Sequence, residues 1–135
     1  SFTICRAYER RLTDDEKSLY HIYKKILQMA RRESAVNNGI FFDLMYVNQH
    51  LNRQYVFLRR AGSDLLLVAA NFDGNEANID VNIPAHAFDY MQLKERHGMV
   101  SDMLSGDKIK LELKADCSVN MTIPGYGARV WKMKA

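Results

Sequence analysis

The sequence predicts a mainly β protein: an antiparallel Greek-key β-sandwich of about eight strands with one N-terminal α-helix. Three observations predict it. The chain has 135 residues, which is one domain's worth and short of the roughly 200 residues that a (β/α)8 barrel needs at minimum. A helical period occupies only its first quarter. From Gly39 onward, short β-rich runs recur at about ten-residue spacing with turn chemistry between them and no helix.

The helix comes first. Thr13-Asp14-Asp15-Glu16 forms a capping box, in which Thr13 accepts from the Glu16 amide and Glu16 reaches back to the Thr13 N–H. Acidic residues in that first turn also suit the helix dipole. Leu19, Ile22, Tyr23, Ile26, Leu27 and Ala30 then recur at helical spacing. Asn37-Asn38-Gly39 supplies residues that tolerate the left-handed conformation ending a helix. The spacing predicts one helix over 14–34. Its apolar stripe runs from Tyr20 to Met29, about half the circumference at ~100° per residue. A helix resting on one surface needs less, so this one is shaped to lie between two bodies.

The strands follow. Ile40–Val47, Tyr55–Arg60, Leu65–Asn71, Asn78–Ile83, Phe88–Leu93, Ile109–Leu113, Ser118–Ile123 and Ala128–Met133 are β-rich or alternating, and Met99–Leu104 is a further short candidate. Ala61-Gly62-Ser63-Asp64, Asp73-Gly74-Asn75, Ser105-Gly106-Asp107 and Pro124-Gly125 carry turn residues. Leu65–Ala70 is apolar at both parities, which predicts a central strand covered on both faces. Phe72, just beyond it, reads as a core plug at the strand end.

Composition excludes several classes. With 47% apolar and 26% charged residues the chain is ordinary for a globular protein, and no apolar run approaches the ~20 residues of a membrane span. The net charge is +3. Residues 1–34 hold eight Lys/Arg against five Asp/Glu, whereas residues 35–135 hold eleven of each. A nucleic-acid binder concentrates far more positive charge on one face. The two cysteines, Cys5 and Cys117, make neither a disulfide framework nor a metal site. The chain begins at Ser1 rather than Met, and it reads as a piece of something longer.

Catalytic constellations are missing. There is no G-x-S-x-G elbow. His21, His50, His86 and His97 lack metal-ligand spacing and read as surface or turn histidines. Gly125-Tyr126-Gly127 precedes a strand, not a helix, and so reads as a turn instead of a phosphate loop. Asp14, Asp15 and Glu16 serve the helix start, and Asp64, Asp73 and Asp107 serve turns, so no carboxylate pair is left for glycosidic-bond chemistry. No catalytic residue, metal ligand or cofactor is expected. Aromatics remain: Tyr46, Tyr55, Tyr90, Tyr126 and Trp131 are candidate sugar-stacking platforms, weighed against packing roles in a sandwich. Asn120-Met121-Thr122 is a formal glycosylation sequon, read as coincidence inside a strand.

Several strings, in order, carry a resemblance. Leu19-Tyr20-His21-Ile22-Tyr23-Lys24-Lys25-Ile26-Leu27, Ala30-Arg31-Arg32-Glu33 and Asn38-Gly39-Ile40-Phe41-Phe42-Asp43-Leu44 open it. Tyr55–Arg60, Leu66–Asp73 and Ile123–Trp131 continue it. Together they resemble the stretch that closes enzymes of the α-amylase family, glycoside hydrolase family 13: the last barrel helix and the all-β C-terminal domain. The resemblance covers most of the chain, and residues 1–12 share it least.

The resemblance implies two parts, with 1–38 the lead and last helix of a missing (β/α)8 barrel and 39–135 the sandwich domain. It implies a non-catalytic C-terminal accessory domain of an α-glucan-processing glycosidase, stabilising the barrel. Family catalytic carboxylates sit on barrel strands upstream, and none carries over. The alternative is a module that holds starch or maltooligosaccharides through exposed aromatics. The expected partner is the catalytic barrel of the parent chain, met by Leu19, Tyr20, Ile22, Tyr23, Ile26, Leu27 and Met29. α-Glucan is the candidate ligand. With the barrel absent, that exposed stripe predicts a truncation-induced homodimer.

Overall fold

The computed structural model describes residues 39–135, together with His21 and Lys25, which are helical and exposed. The rest of the predicted helix over 14–34, with its seven candidate barrel-contacting residues, lies outside the described residues.

Among the described residues eight strands form two antiparallel sheets. They are β1 (Ile40–Asp43), β2 (Gln54–Ala61), β3 (Asp64–Asn71), β4 (Ala77–Ile83), β5 (Arg96–Asp102), β6 (Lys108–Leu113), β7 (Cys117–Ile123) and β8 (Ala128–Lys134). Six lie in the order β1-β2-β3-β8-β5-β6, and β4 pairs with β7 in the second sheet. The pairing is nested: β3 with β8, β4 with β7, β5 with β6. A long antiparallel hairpin is thus folded between two sheets, and β8 returns beside β5. That return is the Greek-key connection the sequence predicts.

Alternation builds the core. Val56 and Leu58 of β2, Leu65, Leu67 and Ala69 of β3, and Trp131 and Met133 of β8 point inward from the large sheet. Ile79, Val81 and Ile83 of β4 and Val119, Met121 and Ile123 of β7 meet them from the small one. β3 is buried on both faces, as its double-parity apolar run predicts: Leu66, Val68 and Ala70 form a second cluster with Ala128 and Val130 on the sheet's outer side. Phe72 is half-buried against that outer cluster, not plugged into the core. The β2–β3 turn has only two residues, and Gly62 holds φ 57 there, the left-handed geometry that tight hairpins require.

Three segments differ from the sequence prediction. Phe88–Leu93 is not a strand: Ala85–Met91 forms a helix, α1, following Pro84. Its buried residues, Ala87, Phe88 and Met91, follow helical spacing, and the period is visible only when the window starts at Pro84. The Asp116 carboxylate accepts the Ala85 N–H at 2.8 Å. At the far end Gln92 turns left-handed with φ 53, and Arg60 donates to the Met91 carbonyl at 2.7 Å and to that of Gln92. The predicted strand Ile40–Val47 is cut at Asp43, whose carboxylate accepts the Met45 N–H at 2.7 Å. That Asx turn starts a 3-10 turn over Met45–Val47. The further candidate Met99–Leu104 is a strand that starts earlier, at Arg96, and ends at Asp102.

Two buried asparagines join the elements. Asn48 donates from Nδ2 to the Leu44 carbonyl (2.7 Å) and the Asn82 carbonyl (3.0 Å), while its Oδ1 accepts the Asn82 N–H (2.7 Å). Its side chain thereby acts as a backbone partner for the edge of β4. Asn71 donates from Nδ2 to the carbonyls of Asn75 (3.0 Å) and Pro124 (3.0 Å) and, more distantly, Ile123 (3.3 Å). Its Oδ1 accepts from Gln54 and from the Asp73 N–H, each at 3.0 Å. The β3–β4 and β7–β8 connections are pinned together at this point. A Cβ on Gly125 would lie 2.0 Å from the Gly74 carbonyl oxygen, so only glycine permits the approach.

Candidate functional site

Exposed aromatic side chains gather at one place. β1 aims Phe42 inward, the 3-10 turn presents Tyr46, and α1 presents His86 and Tyr90, which share a helix face at four-residue spacing. The Phe42 ring centroid lies 6.1 Å from Tyr46, 5.5 Å from His86 and 5.9 Å from Tyr90. His86 and Tyr90 are 6.2 Å apart, and the Tyr46 hydroxyl sits 3.5 Å from His86 Nδ1. Phe42 is buried, whereas Tyr46 is 51% exposed and Tyr90 57%. The arrangement offers two tyrosine faces propped on a buried ring, with an imidazole between them.

The other three candidate aromatics lie elsewhere. Tyr55 points to the outer side of the large sheet, half-buried, with its hydroxyl donating to Asp43 at 3.0 Å and its ring 5.9 Å from Phe57. Phe41 continues that outer row, 5.1 Å from Phe57 and under the Arg59 guanidinium. Tyr126, half-buried with φ 51, lies close over Gly74. Trp131 is 5% exposed and belongs to the core, so its ring faces are occupied by protein. The structure therefore brings Tyr46 and Tyr90 together and separates the rest.

Several acids are held by structural partners. Asp102 is buried; its carboxylate meets Arg129 at 3.2 Å and accepts the N–H of Leu104 at 3.0 Å and of Val130 at 3.4 Å. Nothing in the sequence marks it, because its burial depends on β8 arriving beside β5. Asp64 pairs with Lys134 at 3.4 Å, and Asp73 accepts the Asn75 N–H at 3.0 Å. On the outer edge, Glu112 and Lys114 are 2.8 Å apart. The Lys114 ammonium holds the Glu112 carboxyl below the usual carboxylate value by hydrogen bonding and charge, and Glu112 raises Lys114 in the same way. Among the described residues no three His, Cys, Asp or Glu side chains group to hold a metal ion. Also among them, no helix is long and apolar enough to cross a membrane.

The outward side of the small sheet is polar. Asn78 Nδ2 donates to Asn120 Oδ1 (3.1 Å) and Thr122 Oγ1 (2.9 Å), and Asn120 Nδ2 donates to Asn78 Oδ1 and Asp80 Oδ1, both at 2.9 Å. This amide ladder spans two strands predicted from the sequence, whose pairing with each other was not.

A nested antiparallel sandwich of a six-stranded and a two-stranded sheet defines an all-β domain. Residues 46–134 match the family model described as the alpha amylase C-terminal all-beta domain, and the chain belongs to that family. No curated protein matches it by sequence. Among solved structures it is similar to a noncanonic maltogenic alpha-amylase, AmyB from Thermotoga neapolitana (TM-score 0.54, 10% identity, 77% of this chain and 22% of that one). It is also similar to AmyP in complex with maltose (0.52, 12%, 90% and 21%). A third is the alpha-amylase from Geobacillus thermoleovorans complexed with acarbose (0.51, 14%, 75% and 19%). At these identities the likeness is one of fold. The chain spans about a fifth of the length of each.

Proposed function

We propose that this chain is the non-catalytic C-terminal accessory domain of an α-glucan-processing glycosidase, and that it stabilises the catalytic barrel through the outer side of its six-stranded sheet. One observation carries the reading. Leu66, Val68, Ala70, Ala128 and Val130 point away from the sandwich interior, yet each is at most 7% exposed. The described residues packed on them are Phe57, Ala61, Phe72, Met103 and Leu104. Outward apolar residues of a sheet need a second body. In this reading the helix over 14–34 supplies it from one side, and the barrel lies beyond, against Leu19, Tyr20, Ile22, Tyr23, Ile26, Leu27 and Met29.

The full-length enzyme tests it. Val130→Asp should lower the temperature of activity loss while kcat/KM of the folded enzyme stays within about twofold. An unchanged inactivation temperature would sink the reading. The 135-residue chain alone should release no reducing sugar from starch, maltose or pullulan. It should also self-associate through the uncovered helix stripe, and Ile22→Asp or Met29→Asp should abolish the dimer in sedimentation.

The paired exposure of Tyr46 and Tyr90 favours a second reading, in which the domain also contacts maltooligosaccharide by ring stacking. Titration calorimetry with maltoheptaose, on wild type and on Tyr90→Ala, decides it: heat from wild type alone supports the contact.

A further inference from the structure

We infer that the wedge where β5 parts from β8 is a binding site for a short aliphatic carboxylate. The two strands pair only at Ser101 with Lys132 and Asp102 with Trp131. Toward Arg96 the sheet is unzipped, and a cavity of about 80 Å3 opens there. Val100, Leu111, Leu113 and Met133 line it with core side chains. Gly98 makes the room. It shares the inward parity of Arg96 and Val100, and a Cβ built on it would meet nothing within 4 Å.

Arg96, which also lines the cavity, sets the charge of the ligand. Its Nη2 donates to the Ala135 carbonyl, and Ala135 is anchored in turn by its N–H to the Ser63 carbonyl at 2.8 Å. The Arg96 Nε is buried, and among the described residues no group accepts from it. No carboxylate side chain among them pairs with the guanidinium either. A buried donor left without an acceptor is costly, and a carboxylate oxygen is the acceptor that a guanidinium binds best. The walls have the opposite chemistry and suit an alkyl tail. Water would meet the guanidinium but not the walls; an aliphatic carboxylate meets both. Volume limits the tail. Roughly 150 Å3 accepts a benzene ring, so about 80 Å3 takes a short alkyl chain and excludes a ring.

The chain of residues 1–135 is titrated with sodium propionate at constant pH and ionic strength, and its melting temperature is followed. A saturable rise in the millimolar range is expected, as suits a ligand this small. Propionamide has the same shape without the charge, and benzoate has the same charge on a ring; neither should raise the melting temperature. Gly98→Val fills the room with a residue that strands favour, at a position without a left-handed φ, and should fold and lose the response. Arg96→Gln should weaken binding about tenfold or more. An equal response to propionamide or benzoate, a response retained in Gly98→Val, or no saturable response to propionate would overturn the site. Where a variant fails to fold, the contrast among the three ligands on wild type decides alone.

Discussion

The large sheet turns Leu66, Val68 and Val130 outward and keeps them buried, whereas the small sheet turns Asn78, Asp80 and Asn120 outward and leaves them exposed. Both surfaces come from antiparallel strands with the same alternation, and both sit on the same core. They differ only in what fills the outward parity. Apolar residues there demand a covering body, while amides bonded to one another leave the surface at home in water. One side of the sandwich is apolar and covered, and the other is polar and open to water.

The largest effects should come from exchanging those characters. Val68→Asp places an unpaired carboxylate where the wild-type side chain is 1% exposed, at a cost of about 3–5 kcal/mol. Asp80→Val, its mirror on the small sheet, should stay within about 0.5–1 kcal/mol. Urea midpoints of the two variants measure the contrast. Equal losses would mean that the outer cluster is not a covered surface.

Asparagine makes the comparison within one residue type. Asn71→Ala strands the carbonyls of Asn75, Ile123 and Pro124 and the Asp73 N–H, and should cost about 3 kcal/mol. Asn48→Ala removes the bridge to Asn82 and should cost about 2 kcal/mol. Thermal denaturation of both is the check, and a loss below about 0.5 kcal/mol at Asn71 would show that water replaces the side chain.

These two asparagines also mark the limit of what the sequence discloses. β3 was legible because its apolar run occupies both parities, and turns such as Gly62-Ser63 were legible from their residue types. The α1 helix was not, because Phe88–Leu93 alone alternates plausibly and the helical period needs Pro84–Ala87 to declare itself. Asn48 falls between predicted strands and Asn71 ends one, and neither position declares its burial, which is created by β4 and by the β7–β8 turn arriving from far along the chain. Tyr46 and Tyr90 were recognisable as aromatics, but their convergence on Phe42 depends on α1 packing beside β1, as does the placement of His86 between them. Trp131 has an alternating position that fixes its parity without saying which parity is inside.

Within the polar ladder the effects should be smaller. Asn78→Ala should cost about 0.5 kcal/mol, and so should Asn120→Ala. The double variant should lose less than the sum, because the two amides bond each other. Strict additivity in chemical denaturation would mean that each amide acts alone with solvent.

The smallest effect belongs to Glu112, on the edge strand β6, and Lys114, just past its end. The folded Glu112 carboxyl titrates below its ordinary 4.5, so its contribution is present above that value and disappears as pH falls through the folded pKa. Lys114 titrates above its ordinary 10.5, so its contribution is present below that value and disappears as pH rises through the folded pKa. Across the neutral range the pair is therefore constant, and exposure and salt screen it. Melting temperatures of wild type and Glu112→Gln should differ slightly near pH 6 at low salt, converge toward pH 3, and converge again at high salt. A gap that widened toward pH 3 would mean that Glu112 is stabilising in its protonated form, and the ion-pair account of this edge would be wrong.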